Sequence, residues 1–180
     1  IGPSARTIEE TGNKSEARNA MVRAGVPVIP GTKEPIFTAE AGRKFADEIG
    51  YPVMIKAALG GGGKGMRVVQ NSTDFEKNFQ NAQREAENGF GDNSMYIEKY
   101  IEHPKHIEFQ ILADNEGNTI HLGERDCSVQ RRHQKMIEES PCIALDEDLR
   151  EQMGAMAVRA AKAVGYRNAG TVEFLLDSHR

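Results

Sequence analysis

Val53-Met54-Ile55-Lys56-Ala57-Ala58-Leu59 runs into Gly60-Gly61-Gly62-Gly63-Lys64-Gly65, and Met66-Arg67-Val68-Val69 leads out again. Apolar, partly β-branched runs on both sides of five glycines in six positions read as strand, glycine loop, strand. Without Cβ atoms the loop backbone can take positive φ and bring its N–H groups close to a ligand. Lys64 on the loop and Lys56 on the strand before it add positive charge, and consecutive N–H donors beside lysines suit a polyphosphate. Gly60, Gly62 and Gly65 satisfy the letters of the dinucleotide fingerprint, but that motif opens a helix and a β-like run follows here. The Walker pattern fails too, because Gly65 follows Lys64 where Ser or Thr is required. What remains is a hairpin folding over phosphates, as the glycine loop of protein kinases does. The plainer alternative is a surface hairpin with no ligand.

Working outward, Thr73-Asp74-Phe75-Glu76 has the order of a capping box and opens a helix that buries Phe75, Phe79, Ala82 and Ala86 and ends at Asn88-Gly89. Upstream, a helix over 38–49 sets Phe45 and Ile49 at i, i+4 and stops at Gly50. Two prolines keep Val26-Pro27-Val28-Ile29-Pro30-Gly31 extended, and a short helix over 15–24 precedes it. Downstream, 95–101 and 106–113 are strands, the second with Ile107, Phe109 and Ile111 on one face. A turn at 114–118 returns the chain as a strand over 119–123. Glu124 to Lys135 lacks an apolar period and reads as a loop or irregular edge. Asp146 caps the longest helix, continuing to Val164 with Leu149, Met153, Met156, Ala157 and Ala160 inward, and 169–176 is a last strand carrying Glu173. The expected division is a linker helix region over 1–27, a lid-like subdomain over 28–94 and a second subdomain over 95–180.

A charged fraction of 28% with 38% hydrophobic residues is that of a water-soluble globular protein, and a net charge of -4 leaves no footprint for nucleic acid or an anionic membrane. No apolar run approaches bilayer length, and the first residues lack the regions of a signal peptide. Cys127 and Cys142 fit no metal spacing and read as reduced, structural residues of a cytoplasmic protein, the alternative being a disulfide. Ile1 in place of an initiator Met, and an end directly after a strand-like run, read as a piece of something longer.

Several polar residues sit where a pure core would not want them. Lys56 interrupts an apolar strand; it either serves the loop's ligand or points to solvent from an edge. Glu173 stands in Gly170-Thr171-Val172-Glu173-Phe174-Leu175-Leu176, where a carboxylate is either solvated on an open sheet face or holds Mg²⁺ against phosphate oxygens. Gln130, His133 and Lys135 lie close together in the polar run and suit the orientation of a small anion, the alternative being a solvated surface.

Taken in order, Thr11-Gly12-Asn13 followed by lysine, the Val26-Pro27 connector, Lys56, the glycine loop, Glu98-Lys99-Tyr100-Ile101-Glu102, the run Glu124 to Lys135 and Gly170 to Phe174 resemble the biotin carboxylases, which are ATP-grasp enzymes. The glycine loop alone indicates only ATP-grasp; Glu124 to Gln134 with Glu138-Glu139 carries the narrower likeness. The resemblance covers essentially the whole chain. It implies an α+β ATP-grasp fold, a small lid subdomain plus an incomplete, mainly antiparallel sheet with a packed helix. It also implies roles. Lys14 and Lys56 would contact ATP phosphates, with Lys56 also near the adenine, and Gly61, Gly62, Gly63, Gly65 and Met66 would close over the nucleotide. Glu98, Lys99 (through its carbonyl) and Ile101 would hold the adenine edge, with Leu175 lining its pocket. His106 would reach the ribose, Gln130 and His133 the phosphates, Lys135 bicarbonate, and Glu173 Mg²⁺ or Mn²⁺.

The implied reaction is ATP-dependent carboxylation of biotin on a carrier protein through carboxyphosphate. It feeds acetyl-CoA carboxylation and fatty acid synthesis, with a carboxyltransferase and a homodimer as expected partners. Thr11-Gly12-Asn13 departs from the usual Met-Gly-Asp, but Lys14 is kept. Family members continue past the point reached here into a strand with a second metal-binding Glu and then to Asn and Arg, so the 180 residues alone are expected to be inactive. Two alternatives stand beside this reading: another ATP-grasp ligase of the carbamoyl-phosphate synthetase type, or a non-catalytic nucleotide-binding module.

Overall fold

The structure is a computed structural model that describes residues 2–12, 14–59, 65–131 and 134–177, apart from the side chains of Lys14 and Ser15. In chain order the elements are α1 (Ala5–Gly12), α2 (Lys14–Arg23), α3 (Ala39–Ile49), β1 (Val53–Ala57), β2 (Met66–Val69), α4 (Phe75–Phe90), β3 (Met95–Lys99), β4 (Lys105–Ala113), β5 (Thr119–Arg131), β6 (Gln134–Glu139), α5 (Glu147–Ala163) and β7 (Asn168–Leu176). They fall into two compact units, one of Ile29–Ile101 and one of Ile1–Val28 with Glu102–Arg180.

In the Ile29–Ile101 unit, β1 is the central strand of an antiparallel sheet ordered β2-β1-β3. Period-2 alternation sends Val53, Ile55 and Ala57 to the covered face, where all three are buried. Phe75, Phe79, Ala82 and Ala86 of α4 pack against them together with Ala46 of α3. Thr38 caps α3, its hydroxyl accepting from the Ala41 N–H at 3.3 Å, and Gly50 ends it. Gly42 lets α3 descend onto the sheet, since a Cβ there would lie 2.9 Å from Ile97 Cδ1 and 3.0 Å from Phe75 Cζ. The expected capping box at Thr73–Glu76 does not form. Asp74 makes no side-chain cap; the N–H of Asp74 instead donates to Asn71 Oδ1 at 3.1 Å, and α4 runs on to Phe90 before Gly91 stops it.

The other unit is built on an antiparallel sheet ordered β6-β5-β4-β7 with α5 on one face. Ile107, Phe109 and Ile111 of β4 meet Met153, Ala157 and Ala161 of α5 in a buried core. Asp146 starts α5 by accepting from the Leu149 N–H at 2.9 Å. A bulge shifts β5 against β4 between the pairs Phe109–Glu124 and Ile111–His121, and it sets the His121 ring edge-on to Phe109 at 5.5 Å. Cys127 and Cys142 are both free and buried.

One expectation is narrowed and two change. Of the two readings of Glu124 to Lys135 the irregular edge holds: β5 continues to Arg131 and pairs with the edge strand β6 through register shifts between Asp126 and Gln130, and the buried carboxylates Glu124 and Asp126 at its inward positions hide the alternation. The division at 94 moves to Ile101, because β3 pairs with β1. Residues up to Val28 are no separate linker, since they belong with the α5 unit, where the Thr7 hydroxyl donates to the Val164 carbonyl at 3.1 Å. Helix α1 was not foreseen, and among its residues only Thr7 is buried. Among the described residues no helix is long and apolar enough to cross a membrane.

Candidate functional site

Side chains of β4 alternate, so the residues between its core positions share the face opposite α5. His106, Glu108 and Gln110 stand there, with Leu175, Glu173 and Thr171 of β7 directly across and Arg125 of β5 opposite Glu108. From β6, Lys135 reaches the same face. Its ammonium bonds Glu108 Oε2 and lies 2.6 Å from Glu173 Oε1. Arg125 donates from Nε to Glu108 Oε1 at 2.6 Å and from Nη2 to Gln110 Oε1 at 3.1 Å, and its Nε is 3.5 Å from Glu138. The Gln130 amide donates to the Cys127 carbonyl at 2.8 Å and to His106 Nδ1 at 2.5 Å. That leaves the imidazole proton on Nε2, 3.5 Å from Glu173 Oε2.

Burial works to raise the Glu108 carboxyl, and the hydrogen bonds from Lys135 and Arg125 outweigh it, holding it below the ordinary carboxylate range. The Lys135 ammonium is pushed above the usual lysine range, first by its bond to Glu108 and then by that to Glu173. Beneath the face, Glu124 and Asp126 are buried as well. Glu124 takes Arg150 Nε at 2.9 Å and the Cys142 N–H at 3.1 Å; Asp126 takes the Ser128 N–H at 2.9 Å, the Ser128 hydroxyl and Lys105 at 3.2 Å. For both, burial works upward and these bonds win, keeping the carboxylates ionised.

A Mg²⁺ ion takes oxygen ligands, often one or two carboxylates with waters or phosphates completing the shell. Glu173, 51% exposed, fits that demand. Glu108, Cys127 and Glu138 also bring ligand atoms within 4.8 Å of one another. There, however, the Arg125 guanidinium contacts both carboxylates and burial pushes the thiol up, so that group is bridged by an organic cation.

In the Ile29–Ile101 unit, Lys56 and Glu98 form an ion pair across β1 and β3, with 28% and 26% of each side chain exposed. The Lys99 ammonium donates to the carbonyls of Gly50 at 3.0 Å and Tyr51 at 2.9 Å, and the Lys99 N–H to Pro30 at 2.7 Å. Ile101 follows the end of β3. Gly65 anchors the far end of the glycine run: its φ is +67°, its carbonyl accepts from the Ala57 N–H at 2.9 Å, and a Cβ would sit 2.9 Å from Ala57 Cβ. Next to it, Met66 begins β2, and Arg67 pairs with Glu85 of α4.

The structure thus gathers Gln130, Lys135, His106, Glu173 and Leu175 on one sheet face, and Lys56, Glu98 and Lys99 on another sheet. Gly61, Gly62, Gly63, His133 and the Lys14 side chain lie outside the described residues. Sequence reasoning passed over Glu108, Gln110 and Arg125. The signal was present, since Glu108 and Gln110 follow His106 at i+2 and i+4 on an alternating strand.

Two antiparallel sheets, one leading into a glycine-rich run and one presenting a lysine beside carboxylates, have the architecture of the ATP-grasp nucleotide-binding fold. The chain belongs to the family described as the carbamoyl-phosphate synthase L chain, ATP binding domain, whose family model matches residues 13–180. Within that family it is similar to biotin carboxylases. It is 58% identical over 177 residues to the biotin carboxylase of Nostoc sp., covering 98% of this chain and 40% of that protein. To biotin carboxylase 2 of Bacillus subtilis it is 56% identical over 177 residues, covering 98% and 40%. Among solved structures, a biotin carboxylase–β,γ-ATP complex from Campylobacter jejuni superposes with a TM-score of 0.89 at 57% identity, covering 98% of this chain and 40% of that one. The biotin carboxylase domain dimer of Hydrogenobacter thermophilus 2-oxoglutarate carboxylase, in complex with MgADP, ADP and bicarbonate, does so at 0.87 and 48%, covering 98% and 39%. The chain therefore spans about 40% of the relatives it matches.

Proposed function

We propose that this chain supplies the lid and part of the ATP pocket of a biotin carboxylase, a ligase that uses ATP and bicarbonate to carboxylate biotin on a carrier protein. The observation that carries the reading is Lys135, held by buried Glu108 beside Glu173, His106 and Gln130 on an otherwise open sheet face. Lys14, Lys56 and the loop glycines bind the ATP phosphates, Met66 closes over the nucleotide, and Glu98, Lys99, Ile101 and Leu175 hold the adenine. His106 meets the ribose, and Gln130 and His133 orient the phosphates.

Bicarbonate is a poor electrophile. One of its oxygens attacks the γ-phosphorus, ADP leaves, and the carboxyphosphate formed passes its carboxyl group to a ureido nitrogen of biotin as phosphate departs and takes up the N–H proton. Lys135 holds the anion in line and offsets its charge, work that is mainly positional and electrostatic. Glu173 would hold Mg²⁺, which when bound supplies charge neutralisation on the phosphoryl oxygens. The carboxyl-carrying partner, a carboxyltransferase, the homodimer, the cytoplasmic setting and the link to acetyl-CoA carboxylation belong to the same proposal; the names of the relatives support the biotin carboxylase activity, and the domain dimer of the Hydrogenobacter thermophilus relative supports the homodimer.

The test is Lys135→Met in the protein that carries this chain. Bicarbonate-dependent ATP cleavage should fall by about 100-fold or more, the scale of losing one preorganised charge-stabilising donor, while nucleotide binding persists. Cleavage at the unaltered rate would contradict the assignment.

A further inference from the structure

Lys135 stands between two carboxylates of opposite character. Glu108 is 3% exposed, sits mid-strand between β5 and β7, and has its second oxygen taken by Arg125. Glu173 is half-exposed, with one oxygen on Lys135 at 2.6 Å and the other 3.5 Å from His106 Nε2. An ammonium has three donors, so Lys135 serves both at once. If Glu173 departs, the ammonium stays anchored by Glu108 with its outward side open. Arg125 does not fill that side, because it is committed to Glu108, Gln110 and Glu138.

We propose that Glu108 is the positioning residue of Lys135 and that Glu173 is its exchangeable partner, so that a divalent cation taking the Glu173 carboxylate opens Lys135 to an anion. Cation and anion binding on this face then strengthen each other, and by linkage the effect is the same in both directions. The proposal rests on the cation and anion roles given to Glu173 and Lys135 above and adds the coupling between them. It also follows that Lys135 competes with the cation for Glu173, so removing the ammonium tightens cation binding.

Two measurements on the protein that carries this chain test it, with Mg²⁺ and bicarbonate as probes. The first follows the Lys135 Nζ resonance through a Mg²⁺ titration. It should move in the wild type, and Glu173→Gln should abolish the movement. The second is calorimetry. Lys135→Met should bind Mg²⁺ about 5-fold more tightly than the wild type, and Mg²⁺ should raise bicarbonate affinity in the wild type by about 5-fold or more, within the usual range of coupling between sites. Mg²⁺ binding that leaves the Nζ resonance in place overturns the exchange while leaving the cation site intact. No Mg²⁺ binding in any variant overturns the cation site together with the exchange. The resonance needs no substitution at Lys135 and decides the matter even if Lys135→Met does not fold.

Discussion

Arg150 donates from Nε to Glu124 at 2.9 Å and from Nη2 to the carbonyls of Cys142 at 3.3 Å and Leu145 at 3.2 Å. One guanidinium thereby joins α5, the 140–146 connection and a carboxylate that is 3% exposed on β5. Removing it leaves Glu124 buried and charged, with backbone N–H donors such as that of Cys142 in place of a cation. Arg150→Met should lower the midpoint of denaturant unfolding, because removing one partner of the pair strands the buried charge of the other. Arg150→Met with Glu124→Gln should recover part of that loss, because the stranded charge is gone. A single and a double variant of equal stability would show that Glu124 does not depend on Arg150.

At the scale of elements, α5 approaches β5 closely at one point. A Cβ on Gly154 would lie 2.5 Å from His121 Nε2 and 2.7 Å from Cε1, and the ring is held by its edge contact with Phe109 and by the Gly123 N–H, which donates to Nδ1 at 3.4 Å. Gly154→Ala therefore sets helix propensity, which favours Ala by about 1 kcal/mol, against overpacking of about 1–3 kcal/mol. We expect a net loss in thermal unfolding that turns into a gain when His121→Ala is added. At the start of the same helix, Asp146→Ala should cost about 1 kcal/mol by removing the cap on the Leu149 N–H.

These elements also show what the sequence could reveal. The helices over 39–49 and 147–163, and the strands with apolar alternation at 53–57 and 105–113, were legible because their buried positions are apolar at the right period. The strand pair over 119–139 was not, since Glu124 and Asp126 occupy inward positions and are satisfied by partners far off in sequence, Arg150 and Lys105. The site was half legible for the same reason. Lys56 and Glu173 stood out by interrupting apolar strands, while Glu108, equally polar on a strand face, looked like an ordinary solvent position until Lys135 and Arg125 arrived from β6 and β5.

For the whole molecule, the buried carboxylates set the response to acid. Glu108, Glu124 and Asp126 are all held below their ordinary values of 4.5, 4.5 and 3.8. The unfolded chain then binds protons that the folded chain refuses, so their contribution is full above the ordinary values and is lost as pH falls through the depressed ones. Lys135 acts with the opposite sign: its folded value is raised above 10.5, and its contribution fades only as pH rises past that. The melting temperature should therefore hold steady from neutrality down to about pH 5 and drop steeply below about pH 4. The double variant Arg150→Met with Glu124→Gln should flatten that drop. A melting temperature independent of pH down to the strongly acid range would contradict the ionised state of these groups.

The central claim is that the Lys135 face serves carboxylation of biotin, and the most direct measurement is transfer of labelled bicarbonate to free biotin by the protein carrying this chain, in the presence of MgATP. The wild type should give labelled carboxybiotin, Lys135→Met should lose at least about 100-fold of it, and no product should form when ATP is withheld. Bicarbonate-dependent ATP cleavage with no label on biotin, or labelling that survives Lys135→Met unchanged, would contradict it.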